Sequence, residues 1–539
     1  MISGAQIMVK CLENEGVSVV FGYPGAAICP FYDCLYDSPI RHVLVRQEQN
    51  AGHAASGYAR VSGKVGVCVV TSGPGATNLI TALATAYMDS IPIVAITGQV
   101  RSDLLGRDVF QEVDITGACE PFTKHSYLVS DTADLPRIFK EAFHIASTGR
   151  PGPVLIDIPV DMQTNTVESF TYPEKAEIIG YKPRSNGHPL QVIRAAELLA
   201  KAKRPVICAG GGIVAANARK ELMRFVEKTQ IPVVSTMMGI GIFPSDHPQY
   251  LGMLGSHGVY AANRAIYEAD LLILCGARVG DRALAKPDQI TEKAKVIHID
   301  IDPAEIGKNM KADIPIVGDI RLVLAALTEK AESRSPQEWL DMAAEWKLKN
   351  MLPEKHYDGY VNPKRMIREM SARMARKAVY VADVGQNQIW SANNFQAREG
   401  RFLTTGGLGT MGYSIPAAIG AKLAKPHRQV VAVCGDGSFQ MSLNELGTIC
   451  QQNVDIKIVI MRNVRLGMVR ELQDNLYGGR HSATLLDGTP DFVKLAAAYG
   501  LPAQEIWSDE EVIPAIEALL SSKGTSLLVC NVSPDMPSK

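Results

Sequence analysis

The strand-like run Gln429-Val430-Val431-Ala432-Val433 leads into Cys434-Gly435-Asp436-Gly437-Ser438. Small residues at a strand end let backbone amides approach a phosphate group, and a following helix adds the favourable end of its dipole. Asp436 supplies a hard carboxylate oxygen there. Asn463 comes 27 positions later, after one helical stretch and the run Ile456 to Ile460. A crossover of that length returns the chain to the same strand-end crevice. Magnesium prefers octahedral oxygen coordination and shares its sphere with phosphates. Asp436, the Asn463 amide oxygen, a backbone carbonyl near Arg465 and two diphosphate oxygens, with water, would make such a sphere. Alone, Gly-Asp-Gly-Ser reads equally well as a turn; Asn463 in register favours the metal.

A second candidate is Glu48. The run His42 to Val45 is followed by Arg46-Gln47-Glu48-Gln49-Asn50 and then by the small-residue helix Ala51-Gly52-His53-Ala54-Ala55. A carboxyl group where a strand meets a closely packed helix is partly shielded from water and can exchange a proton with a buried heterocycle. The plain alternative is a surface glutamate at a helix start. A third set lies mid-chain: Gly210-Gly211-Gly212, Gly255-Ser256-His257-Gly258, Gly276-Ala277-Arg278 and His298-Ile299-Asp300-Ile301-Asp302. Glycine loops at strand ends followed by carboxylates suit a nucleotide with pyrophosphate and ribose, although many such domains bind nothing. Arg282, in Arg278-Val279-Gly280-Asp281-Arg282, is a cation for a substrate carboxylate or, more simply, a surface partner of Asp281.

These residues need strand ends to hold them, and the elements agree. Apolar runs alternate with helical periodicity throughout the 539 residues, which predicts an α/β protein of three doubly wound domains, with mainly parallel sheets covered by helices. The domains are expected at 1–165, 190–340 and 360–539. A Pro-rich linker is expected from about Gln163 to Pro189, and a connecting helix plus linker from Lys330 to Pro363. The predicted strands are Val17 to Phe21, His42 to Val45, Val65 to Val70, Ile93 to Ile96 and Val154 to Ile158 in the first domain. In the second they are Pro205 to Ala209, Pro232 to Ser235, Leu271 to Leu274 and Val296 to Ile301. In the third they are Ala378 to Val381, Gln429 to Val433, Ile456 to Ile460 and Ser526 to Val529.

Hydrophobic residues make up 46% and charged residues 21%, as in an ordinary globular protein, and 55 Lys+Arg against 56 Asp+Glu leave no basic surplus for nucleic acid. No signal-peptide pattern opens the chain and no segment reads as membrane-spanning. The ten cysteines form no CxxC pair, and Cys68, Cys208, Cys275, Cys434 and Cys530 lie in strand-like runs. Reduced core cysteines and a cytoplasmic setting are expected.

Together, Glu48, Gly435-Asp436-Gly437-Ser438 and Asn463 resemble the thiamine-diphosphate enzymes, and specifically the acetohydroxyacid synthase (acetolactate synthase) large subunit. The likeness runs nearly end to end through Phe21-Gly22-Tyr23-Pro24-Gly25, Thr71-Ser72-Gly73-Pro74-Gly75-Ala76-Thr77-Asn78, Phe110-Gln111-Glu112-Val113-Asp114 and Gly406-Gly407-Leu408-Gly409-Thr410-Met411-Gly412. It implies a C–C bond-forming enzyme of branched-chain amino-acid biosynthesis. Such an enzyme decarboxylates pyruvate and transfers the hydroxyethyl unit to pyruvate or 2-ketobutyrate, using thiamine diphosphate, Mg2+ and a non-redox FAD. It also implies that Glu48 activates the aminopyrimidine, with Pro24, Gly25, Pro74 and Asn78 around that ring. Met411 would prop the cofactor's bend, Gly385, Gln386 and Ser438 would contact the diphosphate, and Val384, Gly409, Gly435 and Gly437 would also bind the cofactor. Asp436, Asn463 and Arg465 would hold the metal. Gln111 would assist the intermediates, Arg282 bind the acceptor carboxylate, and Phe110 and Met468 line its pocket. For FAD the implied contacts are Arg150, Gly210, Gly211, Gly212, Gly255, His257, Gly276, Arg278, Asp300 and Asp319.

The resemblance further implies a homodimer or homotetramer whose sites combine Glu48 and Asp436 of different subunits, and allows a separate small regulatory subunit. This chain departs from the family's pattern at Leu472 (commonly Trp), Ser256 (Met), Val160 (Lys), Asn387 (His) and Arg462 (Asn), which bears on acceptor preference. A pyruvate oxidase-like flavoenzyme, an FAD-free catabolic acetolactate synthase and a non-catalytic scaffold are the competing readings.

Overall fold

A computed structural model describes residues 1–183, 185–350 and 355–539. Three six-stranded sheets, each parallel throughout, organise the chain. The N-terminal sheet runs, edge to edge, Arg41–Leu44, Val19–Tyr23, Gly66–Val70, Ile93–Gln99, Pro153–Pro159 and His125–Leu128. The C-terminal sheet runs Arg401–Leu403, Val379–Ala382, Val430–Gly435, Lys457–Arg462, Ser526–Asn531 and Ala503–Ile506. Numbered in chain order, both have their strands in the sequence second, first, third, fourth, sixth, fifth, so the two domains repeat one topology. The central sheet differs: Tyr250–Met253, Val233–Ser235, Pro205–Ala209, Leu271–Cys275, Lys295–Asp300, Ile314–Val317, or third, second, first, fourth, fifth, sixth. Each order reverses beside its first strand, and ligands of open parallel sheets bind in the crevice at that reversal.

Why these segments are strands is visible in what each face covers. Val379, Val381, Val430, Ala432, Ile458 and Ile460 pack in one apolar cluster of the C-terminal domain. Their strand neighbours Tyr380, Ala382, Val431, Val433, Val459 and Met461 pack in another. A sheet buried on both sides needs nearly continuous apolar runs, and those are the runs legible in the sequence. Five edge strands were not among the predicted ones: His125–Leu128, Tyr250–Met253, Ile314–Val317, Arg401–Leu403 and Ala503–Ile506.

The connections also differ from expectation. The start of the expected first linker is ordered: Val160–Thr164 is helical, and Thr166–Val167 pairs antiparallel with Ile2–Ser3. Arg184 of that linker lies outside the described residues. In the expected second connection, helix Gln337–Leu348 buries Trp339 and Trp346 in the central core, with Trp339 Nε1 donating to Pro205 O at 3.0 Å. A boundary at 340 therefore cuts a helix of the central domain; residues 351–354 lie outside the described ones.

The N- and C-terminal domains meet along helices Glu48–Ser62 and Ser414–Ala424. A Cβ at Gly420 would stand 1.8 Å from Ala54 O, and one at Gly57 2.0 Å from Ala417 O, so the helix backbones touch where only glycine fits. Buried Glu445 extends this seam, accepting from Arg46 N (2.8 Å), Asn50 Nδ2 (2.9 Å) and Thr448 Oγ1 (2.6 Å). The cysteines are free; Cys68, Cys208, Cys275, Cys434 and Cys530 are buried. Among the described residues no helix is long and apolar enough to cross a membrane.

Candidate active site

At the reversal of the N-terminal sheet, the turn Pro24–Gly25 leaves one strand and Thr71–Gly75 the next. Glu48 begins its helix beside them, and Asn78 Nδ2 donates to its Oε2 at 2.9 Å. A Cβ at Gly75 would come 3.5 Å from Glu48 Oε1, so this position leaves the carboxylate accessible. Thr71 Oγ1 is buried without a partner, an orphan hydroxyl in the same turn that sequence reasoning did not single out. Gln111 joins the group from a later loop: it holds φ +59°, and a Cβ on Gly73 would lie 2.8 Å from its own. Pro24, Pro74 and Asn78 are exposed, leaving this half-site open to whatever covers it.

At the matching reversal of the C-terminal sheet, Asp383-Val384-Gly385-Gln386 leaves one strand and Gly435-Asp436-Gly437-Ser438 the other. Gly385 takes φ +129°, a conformation side chains rarely adopt. Fully buried Asp383, also missed in the sequence, accepts from Val384 N (2.8 Å), Gly412 N (2.9 Å) and Ser414 N (2.7 Å), tying this turn to the one that carries Met411. Burial pushes the Asp383 carboxyl up, and those three hydrogen bonds pull it back. Met411 Cε would lie 3.8 Å from a Cβ on Gly437. Ser438 Oγ accepts from Gly435 N at 3.0 Å and closes the loop, while Gly409 is exposed and Met468 half-buried. Asn387 turns its Nδ2 toward Gly385 and Gly435, 3.3 and 3.4 Å from where their Cβ atoms would stand, and donates it to Val384 O at 3.3 Å.

Asp436 and Asn463 are drawn together by the strained residue between Asn463 and Arg465. Val464 holds φ +57°, costly for a β-branched side chain, and its N–H donates to Asp436 Oδ2 at 2.6 Å. Leu466 N→Thr484 O (2.8 Å) and Leu486 N→Val464 O (2.9 Å) clamp the loop. Among the described residues, Asn463 Oδ1 accepts only from Arg465 N, at 3.1 Å. Burial pushes Asp436 up to about 6 despite its amide hydrogen bonds. A buried carboxylate oxygen and an amide oxygen with capacity to spare fit a hard cation carrying phosphate. Among the described residues no three His, Cys, Asp or Glu side chains cluster as a metal site, so such a cation must draw on amide, backbone and phosphate oxygens. No hydrogen bond or ion pair among the described residues joins the Glu48 group to the Asp436 group.

In the central domain the glycine loops meet each other. Gly210 N donates to Cys275 O and Gly212 N to Gly276 O, each at 2.9 Å, so Gly210, Gly212 and Gly276 have a packing reason of their own. Gly211 faces Met238, and Gly255 packs on the Arg282 carbonyl. The Arg282 side chain is 78% exposed, 3.6 Å from Asp281. Arg150 crosses from the N-terminal domain to Asp302 (3.2 Å) and Glu305 (2.8 Å) and reaches Ser90. Asp319 caps helix Ile320–Lys330 by accepting from Arg321 N. Asp300 is buried and pushed up to about 6 by desolvation, and buried His298 lies on the same strand with the Ala277 backbone against its ring. Arg278 lies close enough to lower Asp89 electrostatically, and His257 is half-buried with its carbonyl bonded to Asn393. Desolvated Asp300, at the end of its strand, fits a ligand with hydroxyl groups; the glycines add no independent support.

Comparison with known proteins shows matches to three models: the N-terminal TPP binding domain of thiamine pyrophosphate enzymes over residues 2–118, their central domain over 192–327, and their C-terminal TPP binding domain over 383–530. The probable acetolactate synthase large subunit of Methanocaldococcus jannaschii is 48% identical, covering 97% of this chain and 90% of its own. That of Methanococcus aeolicus is 44% identical, covering 99% and 92%. The acetolactate synthase large subunit of Corynebacterium glutamicum is 48% identical, covering 96% and 84%. The chain belongs to the acetolactate synthase large-subunit family of thiamine pyrophosphate enzymes. Its two outer sheets are the TPP-binding domains of that family, and their reversals carry the Glu48 and Asp436 groups.

Proposed function

We propose that this chain is the catalytic subunit of an acetolactate synthase in branched-chain amino-acid biosynthesis. It decarboxylates pyruvate and joins the two-carbon fragment to a second 2-keto acid, giving 2-acetolactate from pyruvate and 2-aceto-2-hydroxybutyrate from 2-ketobutyrate. The observation carrying this reading is the pairing, in a chain related nearly end to end to acetolactate synthase large subunits, of a carboxylate held by an amide at one sheet reversal with a cation-ready carboxylate and amide at the other.

Thiamine diphosphate, when bound, supplies the electron sink for decarboxylation. Glu48 exchanges a proton with the aminopyrimidine while Asn78 holds its other oxygen in place. Asp436 and Asn463, with the Arg465 backbone, would hold magnesium, and the turns at Gly385–Gln386 and Gly435–Ser438 would receive the diphosphate. Asp383 keeps the Met411 turn in register with them. Arg282 would bind the acceptor carboxylate and Gln111 would assist the intermediates. Exposed Phe110 (86%) and Leu472 (48%) line the acceptor side, which a second subunit covers. FAD, when bound, would sit in the central domain with Asp300 among its contacts and would not turn over as a redox group. A homodimer or larger even assembly, a small regulatory subunit and a cytoplasmic setting complete the proposal.

Purified protein supplied with pyruvate, thiamine diphosphate and magnesium under anaerobic conditions should release acetolactate and carbon dioxide with no electron acceptor, and reduced FAD should support the same rate. An obligatory stoichiometric electron acceptor would favour the oxidase reading. Leu472 stands where the family commonly has Trp, and leucine leaves the extra methyl of 2-ketobutyrate poorly contacted. One methyl is worth about 10–200-fold in discrimination. Equal pyruvate and 2-ketobutyrate should therefore give near parity of products, and Leu472→Trp should shift them toward acetohydroxybutyrate.

A further inference from the structure

We propose that Glu471 is a positioning residue for the metal end of the site: acting through Gln386, it decides that Asn463 keeps its oxygen, rather than its nitrogen, available to a cation. This rests on the reading of Asp436 and Asn463 as magnesium ligands.

An asparagine amide has an oxygen that can bind a cation and an NH2 that cannot, and a half-turn exchanges them. Asn463 Nδ2 donates to Gln386 Oε1 at 2.8 Å. Gln386 is itself an amide, so the ambiguity passes to it. There it ends, because Gln386 Nε2 donates to Glu471 Oε1 at 2.6 Å and to Met536 O at 2.9 Å. A carboxylate and a carbonyl can only accept. Turning Gln386 over would press its oxygen against two acceptors and leave a buried NH2 facing that of Asn463. One orientation of Gln386 therefore survives, and it holds Asn463 with Nδ2 inward and Oδ1 released.

The relay is tight and mostly buried. Gln386 and Asn463 are 4% and 7% exposed. A Cβ on Gly467 would fall 1.9 Å from Gln386 Oε1, so the start of helix Gly467–Tyr477 must carry glycine for the two amides to meet. Glu471, one turn along that helix, is steered in its turn by Ser538, whose N–H reaches Oε1 and whose Oγ reaches Oε2, both at 2.6 Å. Hydrogen bonds to a carboxylate are stronger than neutral ones, which suits the residue that must settle both orientations. Glu471 touches neither Asp436 nor Asn463 through any hydrogen bond; its effect is carried by Gln386.

The test is magnesium titration of thiamine diphosphate binding, followed by calorimetry on the full chain. Glu471→Ala should weaken magnesium by roughly 10–100-fold, the usual cost of removing a group that orients a metal ligand. Cofactor affinity at saturating magnesium should stay at the parent value. Glu471→Gln retains one acceptor for Gln386 but loses the charge, and should show a smaller loss in the same direction. Magnesium affinity unchanged in Glu471→Ala overturns the proposal, as does an equal fall in cofactor affinity at saturating metal, which would mark general structural support. If Glu471→Ala does not fold, Glu471→Gln decides, and parental magnesium affinity in it overturns the proposal. Asp436→Ala separates the two levels. Persistence of magnesium dependence in that variant defeats the site reading itself. Its loss there, with Glu471→Ala unaffected, defeats the relay alone.

Discussion

Asp436 and Glu48 sit at equivalent reversals of two like sheets, yet their surroundings prepare them for different tasks. Glu48 has one amide partner and an open oxygen, the arrangement of a group that trades a proton. Glu48→Gln should leave fold and diphosphate binding intact and lower turnover by ~10²–10⁴-fold, as measured by steady-state acetolactate formation. Asp436 has only backbone donors and is held up at about 6 by burial. Its folded value lies above its ordinary one, so in the metal-free protein this group's contribution to stability falls as pH rises from about 4 to about 6. On the proposed assignment of Asp436 as a magnesium ligand, protons and magnesium would compete for the same oxygens. Apparent magnesium affinity should therefore drop about tenfold per pH unit below about pH 6 and level off above it. Titrations between pH 5 and 8 read this directly, and Asp436→Asn should flatten the profile.

Among the elements, the helix that begins with Glu48 is the one most dependent on its neighbour. It lies against Ser414–Ala424 through the backbone contacts at Gly57 and Gly420, and the second helix follows directly on the Met411 turn. Displacing one helix thus moves Glu48 and the Met411 turn relative to each other. Gly420→Val would drive a branched side chain into Ala54 O. Overpacking of this kind costs about 1–3 kcal/mol, and the melting temperature should fall by several degrees with weaker cofactor binding. An unchanged melting curve would mean the helices do not depend on this contact. The edge strands teach a related lesson. Arg401–Leu403 and Ala503–Ile506 cover fewer neighbours than central strands, so their residues need not be continuously apolar, and their pairing shows only once the sheet is assembled.

At the scale of the whole molecule, among the described residues the Glu48 and Asp436 groups share no hydrogen bond, and apolar side chains such as Phe110, Val469, Leu472 and Leu476 are exposed. A site completed by a second copy predicts complementation. Mixed Glu48→Gln and Asp436→Ala chains should form heterodimers with one site carrying both defects and one intact, so activity should return on mixing two dead variants. Silence after verified subunit exchange would place both groups in a site of one chain. The sequence by itself determined the three α/β units, the strand-end location of Glu48, Asp436 and Asn463, and the family, because apolar runs and short motifs are local and survive being read one residue at a time. Only the tertiary structure decided that Gly210, Gly212 and Gly276 pack loop on loop, that Arg150 is held by Asp302 and Glu305, and that Asp383, Thr71, Val464 and Glu471 stand beside the candidate site residues. Those assignments depend on partners tens to hundreds of residues away, and a side chain's hydrogen bonds exist only after folding has brought its partners within about 3 Å.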